Sequence, residues 1–394
     1  MRIVVSGLGV VSALGVGVES HLERLRRGQS GIVSSPRLLQ TVNRLPVGEV
    51  ALDNEALHRL CGVEPSAHLS RTALLGMVAV GEALRDAALD PTTKRIGLIS
   101  ATSVGGMDRT EHFFVPFLED ETAGCLRDVR MHDCSASTET IARHYHLTGH
   151  RATISTACSS AANAFILGEK LLRHRLCDAV VVGGTDALSA FTMNGFKSLM
   201  ILDEEPCRPF DEHRAGLNLG EGAGYVVLER EEECSRTPYC LLAGAANRND
   251  AHHQTASSEE GEGAFLAMQE ALQRAAVSPE EVDYINAHGT GTGNNDLSEG
   301  RAICRLFGDR VPPFSSTKGF TGHTLAAAGG IEAVFSALAI AHQSLWPSLR
   351  FTTPIEGLGL RPVMECQTAQ KVDVVLSNSF GFGGNCAAIV LKKC

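Results

Sequence analysis

Two successive rounds of one alternation dominate this sequence: short valine-rich runs of strand character, each followed by a longer run of helical periodicity. The first round reads "RIVVSGLGVV", the helical "SRTALLGMVAVGEALRDAAL", "RIGLISATSV", "RATISTAC", a helix running to Arg175, then "DAVVVGGTD" and "AGYVVLERE". The second begins near Tyr239 with "CLLAGAANRND", the helical "GAFLAMQEALQRAAV", "VDYINAHGTGT", "VPPFSSTKG", the helical "AAAGGIEAVFSALAIAHQ" and "VDVVLSNSFGFGGNCAAIVLKK". Such alternation is the signature of an α/β protein. Strands this apolar are covered on both faces. The similar order of elements predicts two related α/β halves facing each other, residues 1–236 and 237–394, with the polar stretch Glu229 to Tyr239 as the hinge.

At 394 residues the chain is long enough for two fused halves. Its 40 glycines, without low-complexity repeats, suit many tight strand–helix turns. Twelve cysteines are scattered with no C-x-x-C pair, so reduced thiols are expected rather than disulfides or a zinc site. A net charge of −10 argues against general nucleic-acid binding, and an acidic partner must find a local basic patch. No run of about 18 uncharged apolar residues is present, so no spanning helix is expected. The start "MRIVVSGLGVVSALG" fits a first buried strand better than a signal segment, and the expected location is the cytoplasm.

Chemistry enters at "STACSSAAN", where Cys158 stands between a strand-like run and a long apolar helix. Unpaired N–H groups at a helix start favour a thiolate there, which suits a nucleophile; a small buried hydrophobe is the plainer reading. Two histidines shift the balance. "NAHGTGT" puts His288 just after a strand, and "STKGFTGHTLAAAGG" puts His323 ahead of a helix, five residues after Lys318. Both stand where strands end, which is where crevices form in α/β folds.

Four stretches, "STACSSA", "NAHGTGT…ND", "STKGFTGHTLAAAGGIEAVF" and "SNSFGFGGN", resemble in order and spacing the signatures of elongating β-ketoacyl-acyl-carrier-protein synthases, ketosynthases of the thiolase superfamily. "RIVVSGLGVVSALG", "GQSGI" and "RPFDEHRAGLNLGEGAGYVVLE" extend the resemblance over the whole chain. It implies a thiolase-like fold, two related α/β halves in a five-layered αβαβα core. It also implies a decarboxylating Claisen condensation of an acyl-carrier-protein thioester with malonyl-carrier protein, in fatty acid or type II polyketide or polyene synthesis. Cys158 would carry the acyl group, with the amides of Cys158 and Phe382 as oxyanion hole. His288 and His323 would stabilise the enolate, Lys318 would keep His323 neutral, and Glu332 would organise the lysine. No cofactor is implied, since phosphopantetheine arrives on the carrier, and no metal.

The resemblance also places Phe382 as a gate, and Gly105, Gly106, Met107 and Met193 near the acyl pocket; Met193 reads equally as core filler. Lys197, Arg208 and Arg214 fall near the family's carrier-docking region. A homodimer is implied, or a heterodimer with a chain-length-factor homologue in which this chain is the active subunit; a non-condensing scaffold or chain-length partner is the other alternative, although such partners usually lack the cysteine. A thiolase would carry a second cysteine towards the C-terminus, and Cys386 in "GGNCA" raises that comparison. "GGNCAA" departs from the family's "GGTNA". Gly291 stands where housekeeping fatty-acid members often have Ser. "GLGVVSALG", "GEGAG" and "GFGG" lack the acidic residue of a dinucleotide fingerprint and read as tight turns. His252 and His253 read as a surface pair, and "EREEE" as a solvated charge run.

Overall fold

The structure, a computed structural model, describes residues 1–34, 36–39 and 45–394. Its strands are β1 (Ile3–Ser12), β2 (Gly15–Val16), β3 (Ile96–Ala101), β4 (Arg151–Ile154), β5 (Ala179–Asp186) and β6 (Gly222–Arg230) in the first half. In the second they are β7 (Cys240–Asn249), β8 (Tyr284–Asn286), β9 (Phe314–Ser315), β10 (Val374–Gly381) and β11 (Asn385–Lys392). The sheet runs β4-β3-β5-β6-β1-β7-β11-β10-β8-β9, with β2 paired to β1. Leaving β2 aside and numbering each half's strands from its start, both halves have the order 3-2-4-5-1 read from the outer edge. In both, the outer three strands are parallel and the other pairings antiparallel. The halves meet through a short antiparallel pairing, Val4 with Leu241 and Val5 with Cys240.

Five helices complete the layers: α1 (Arg71–Asp86), α2 (Ser160–Arg173), α3 (Glu262–Ala275), α4 (Gly293–Phe307) and α5 (Ala328–His342). Helix α1 covers the outer face of the first half's strands, and α3, with α4 against it, covers that of the second; α2 and α5 lie between the halves. The period of two along each strand explains why both faces are apolar. Val180 and Val182 of β5 face the central core, whereas Ala179 and Val181 face the outer one. Ala387, Ile389 and Leu391 of β11 do the same, opposite Cys386, Ala388 and Val390. This is the expected αβαβα arrangement.

Leu325–His342 is long and apolar enough to cross a membrane by length and composition, but it carries Glu332 and 89% of it is buried in the protein as the central helix. One expectation needs correction. Glu229 and Arg230 are buried residues of β6, not part of a solvated run. Glu229 pairs with Lys94 at 2.8 Å, and Arg230 donates to the carbonyls of Leu172 and Cys177.

Candidate active site

Strand β4 delivers the chain to a tight elbow before α2. Ala157 is held at φ +51°, the left-handed region that costs a non-glycine residue energy. Ser160 holds the turn: its Oγ accepts from the Thr156 N–H at 2.7 Å and donates to the Ala157 carbonyl at 2.5 Å. Cys158 rides on this elbow, buried, one residue ahead of the helix cap Ser159.

The end of β10 meets the elbow from the other half of the fold. A Cβ on Gly381 would sit 3.0 Å from both the Cys158 nitrogen and the Thr156 carbonyl oxygen, so only glycine lets the strands approach this closely. The backbone N–H groups of the next residue, Phe382, and of Cys158 itself both act on the Cys158 thiol, each favouring its charged form. Burial nonetheless pushes the thiol up to about 12, against the pull of Lys318 and both N–H groups. Desolvation thus outweighs the helix start, which by itself favours the thiolate.

His288 lies two residues beyond β8. Its N–H and that of Gly289 are held by the two carboxylate oxygens of Glu299 on α4, at 2.9 and 2.8 Å. Burial raises the Glu299 carboxyl to about 7. Gly291, in the same loop, sits at φ +84° with its missing Cβ facing the Gly216 carbonyl oxygen at 2.7 Å, a local backbone requirement for glycine. His323 is anchored by its N–H to the Asn218 carbonyl at 2.7 Å.

The two rings meet edge to face, centroids 5.3 Å apart. Their hydrogen bonds assign the tautomers. Nδ1 of His288 accepts from Lys318 Nζ at 3.2 Å, and Nδ1 of His323 accepts from the Leu325 N–H at 3.2 Å. Each ring is left with its proton on Nε2. Burial and then the charge of Lys318 hold both histidines well below the usual imidazole range. Lys318 itself pairs with Glu332 Oε1 at 2.5 Å in a fully buried ion pair. Its direct contacts are with His288 rather than His323, which feels only its field.

Cys158, His288, His323 and Phe382 line one cavity of about 250 Å³, with Lys318 and Glu332 behind His288. Phe196, Ile201, Leu217, Thr290, Phe380 and Cys386 complete much of the wall. Phe196 stacks on Phe382 at 5.9 Å. Met193 is buried in an apolar cluster with Leu217 and Leu325 and does not reach this wall. Nor do Gly105, Gly106 and Met107. A Cβ on Gly106 would lie 2.0 Å from the Met131 carbonyl oxygen, so this glycine serves backbone packing. Arg214 donates to the carbonyls of Thr292, Asp211 and Gly293, stapling the end of the "HGTGT" loop, while Lys197 is exposed and Arg208 half-buried.

Sequence reasoning missed Glu299 and Phe196. Glu299 falls eleven residues after His288, across a loop and into α4, with no local cue, and Phe196 is one apolar residue on a short helix. Among the described residues, His68, Cys125 and Asp128 come within metal-ligand reach of one another. The Arg109 guanidinium already bonds Asp128 and His68, placing a positive charge where a cation would sit.

Comparison with known proteins accords with this geometry. Residues 1–234 match the family model described as beta-ketoacyl synthase, N-terminal domain, and residues 239–352 that of the beta-ketoacyl synthase C-terminal domain. The chain is 33% identical to 3-oxoacyl-(acyl-carrier-protein) synthase 2 of Staphylococcus aureus (strain MRSA252), covering 100% of this chain and 98% of that one. Among solved structures it superposes with a TM-score of 0.94 on the ishigamide ketosynthase/chain length factor, at 29% identity over 100% of this chain and 99% of that one. For a ketosynthase (ApeO) in complex with its chain length factor (ApeC) from Xenorhabdus doucetiae the values are 0.88, 32%, 100% and 98%.

Proposed function

The chain belongs to the β-ketoacyl synthase family, and from that premise we propose that it joins an acyl thioester to a malonyl thioester with loss of CO2, both delivered on acyl-carrier protein, in fatty acid or type II polyketide or polyene synthesis. The observation that carries this reading is one cavity holding a thiol acted on by two backbone N–H groups and two neutral imidazoles with Nε2–H free of protein acceptors among the described residues.

In the first half-reaction Cys158 Sγ attacks the acyl carbonyl carbon. The carbon–sulfur bond to the carrier's pantetheine breaks, and the cysteine's proton ends on the departing pantetheine sulfur. The tetrahedral oxyanion is held by the N–H groups of Cys158 and Phe382, a donor of this kind contributing about 3–4 kcal/mol to the barrier. In the second, the malonyl C–C bond breaks and CO2 leaves. The electron pair stays on the α-carbon as an enolate whose oxygen accepts from Nε2–H of His288 and His323. That carbon attacks the acyl-cysteine, Sγ leaves as the thiolate and takes one proton from solvent, and a 3-ketoacyl thioester departs. Neutral imidazoles suit this role, since a donor is needed in both the ground state and the enolate.

The reading needs no resident cofactor, because the pantetheine arm is part of the carrier substrate, and it places the protein in the cytoplasm. In this reading Phe382, stacked on Phe196, gates the acyl chamber, Met193 acts on its depth through the wall residue Leu217, and Gly106 and Met107 do so less directly. Lys197, Arg208 and Arg214 remain the proposed docking charges, Arg214 through the loop that it staples. The helix Met107–Glu119 has no buried residue and exposes Phe114, Val115 and Leu118, beside Leu126. A face this apolar favours a dimer, with a second copy or, as in the ketosynthase/chain-length-factor structures, with a non-identical homologue. The condensing reading is tested by supplying acyl-carrier and malonyl-carrier proteins and measuring 3-ketoacyl product together with CO2. Absence of both, across acyl lengths and with a co-expressed homologue present, overturns it.

A further inference from the structure

The oxyanion hole of the proposed reaction is assembled from two turns that belong to different halves of the fold. One is the elbow Thr156–Ser160; the other follows β10, from Gly381 to Asn385. Backbone contact at Gly381 brings them together. A side-chain network lies directly behind both turns.

Its centre is Asn385, the residue after the Phe382–Gly384 turn. Its Oδ1 lies within hydrogen-bond reach of three donors: Ser159 Oγ at 2.6 Å, Asn163 Nδ2 at 2.9 Å and Asn247 Nδ2 at 2.7 Å. Ser159 adjoins the nucleophile, Asn163 lies on the first turn of α2, and Asn247 lies on β7. Ser159 Oγ shares its one proton between Asn385 Oδ1 and the Thr156 carbonyl oxygen at 2.8 Å, and the two amides use both of theirs. Asn163 spends its second amide proton on Thr156 Oγ1 at 2.9 Å, and Asn247 its second on Asn163 Oδ1 at 2.8 Å. The elbow is thus held at both ends, Thr156 and Ser159, by groups that converge on one carbonyl oxygen of the opposite turn.

We infer that Asn385 is a positioning residue that fixes the width of the oxyanion hole by clamping the Cys158 elbow to the Phe382 turn. This rests on the condensing function proposed above and deepens it: the departure "GGNC" in the last motif is the chain's own device for holding two N–H groups in register. A carbonyl oxygen fixed by three donors resists rotation, and a displacement of about 1 Å at such a site costs about 100-fold in rate. The histidine pair is held separately, by Glu299, Asn218, Leu325 and Lys318. The clamp therefore acts on acyl transfer and not on malonyl decarboxylation.

The test separates the two half-reactions. Single-turnover acylation by acyl-carrier protein is followed by intact mass, and basal CO2 release from malonyl-carrier protein is measured in parallel. Asn385→Leu, matched in size but without the acceptor, is expected to lower the maximal acylation rate about 10- to 100-fold with half-saturation unchanged, while CO2 release stays within about threefold. Asn385→Asp keeps an acceptor in place and is expected to acylate at close to the wild-type rate. Wild-type rates in Asn385→Leu overturn the proposal, as does a parallel fall in both half-reactions, which a general loosening would produce. Equal impairment of Asn385→Asp and Asn385→Leu also overturns it. Should Asn385→Leu not fold, Ser159→Ala removes one arm of the clamp and must show the same split on a smaller scale. A wild-type protein that never acylates refutes the condensing function itself, an outcome distinct from all of these.

Discussion

Lys318 Nζ stands 3.2 Å from Nδ1 of His288 and 2.5 Å from that residue's carbonyl oxygen, while its remaining reach is taken by Glu332. One ammonium therefore fixes the tautomer of His288 and its backbone, and adds to burial in keeping the ring neutral. The ion pair behind it is buried, so its two members are not independent.

Removing Lys318 alone leaves Glu332 as an uncompensated buried acid. Lys318→Ala should cost about 3–5 kcal/mol of stability in denaturant melts. It should also lower malonyl decarboxylation by about 10²–10³, the typical effect of losing one oxyanion donor. The double variant Lys318→Met with Glu332→Leu should recover most of the stability and none of the decarboxylation. Normal CO2 release in that variant would show that the pair serves the fold alone.

His323→Ala should still accept an acyl group on Cys158, since the amides of Cys158 and Phe382 are untouched, but should no longer release CO2 from malonyl-carrier protein. Intact mass and CO2 capture give the two readouts. Undiminished CO2 release refutes the role of His323 in holding the enolate.

The pH dependence follows from opposite shifts. Both histidines are depressed in the folded protein, so the unfolded chain binds protons first as pH falls below about 6.5. Their contribution to stability is present above that value and lost below it, and they add no step to decarboxylation between pH 7 and 8. Glu299 is raised to about 7, so its contribution is present at low pH and is lost as pH rises from its usual range through about 7. A rate step near pH 7 should therefore vanish in Glu299→Gln; its persistence would move the titration elsewhere.

Because Cys158 rests as a thiol, with burial raising it to about 12, alkylation by iodoacetamide should climb steadily from pH 6 to 9 without levelling. A plateau reached by pH 7 would indicate a preformed thiolate. Gly381→Ala places a Cβ 3.0 Å from the Cys158 nitrogen and should slow acylation without altering the pH profile of alkylation.

The layers were legible because β-strand alternation is a local property: Val180 to Val182 announce two apolar faces without help from the rest of the chain. Cys158, His288, Lys318, His323 and Phe382 were legible because each lies in a motif with fixed spacing. The network behind them was not. Asn385 gathers partners more than 130 positions away, and the fixing of His288 by Glu299 depends on how α4 docks. The balance at Cys158 was hidden for the same reason: the helix start is visible in the sequence, but the desolvation that outweighs it exists only after folding. Glu229 and Arg230 looked like solvated charges because their partners, Lys94 and the Leu172 and Cys177 carbonyls, come from distant elements.

The central claim is that Cys158 accepts an acyl group as a thioester, and intact mass spectrometry after incubation with a panel of acyl-carrier proteins tests it most directly. The account predicts a mass increase equal to one acyl group for at least one chain length, reversed by hydroxylamine and absent in Cys158→Ala. Failure of every acyl length to attach, or an adduct that persists in Cys158→Ala, would contradict it.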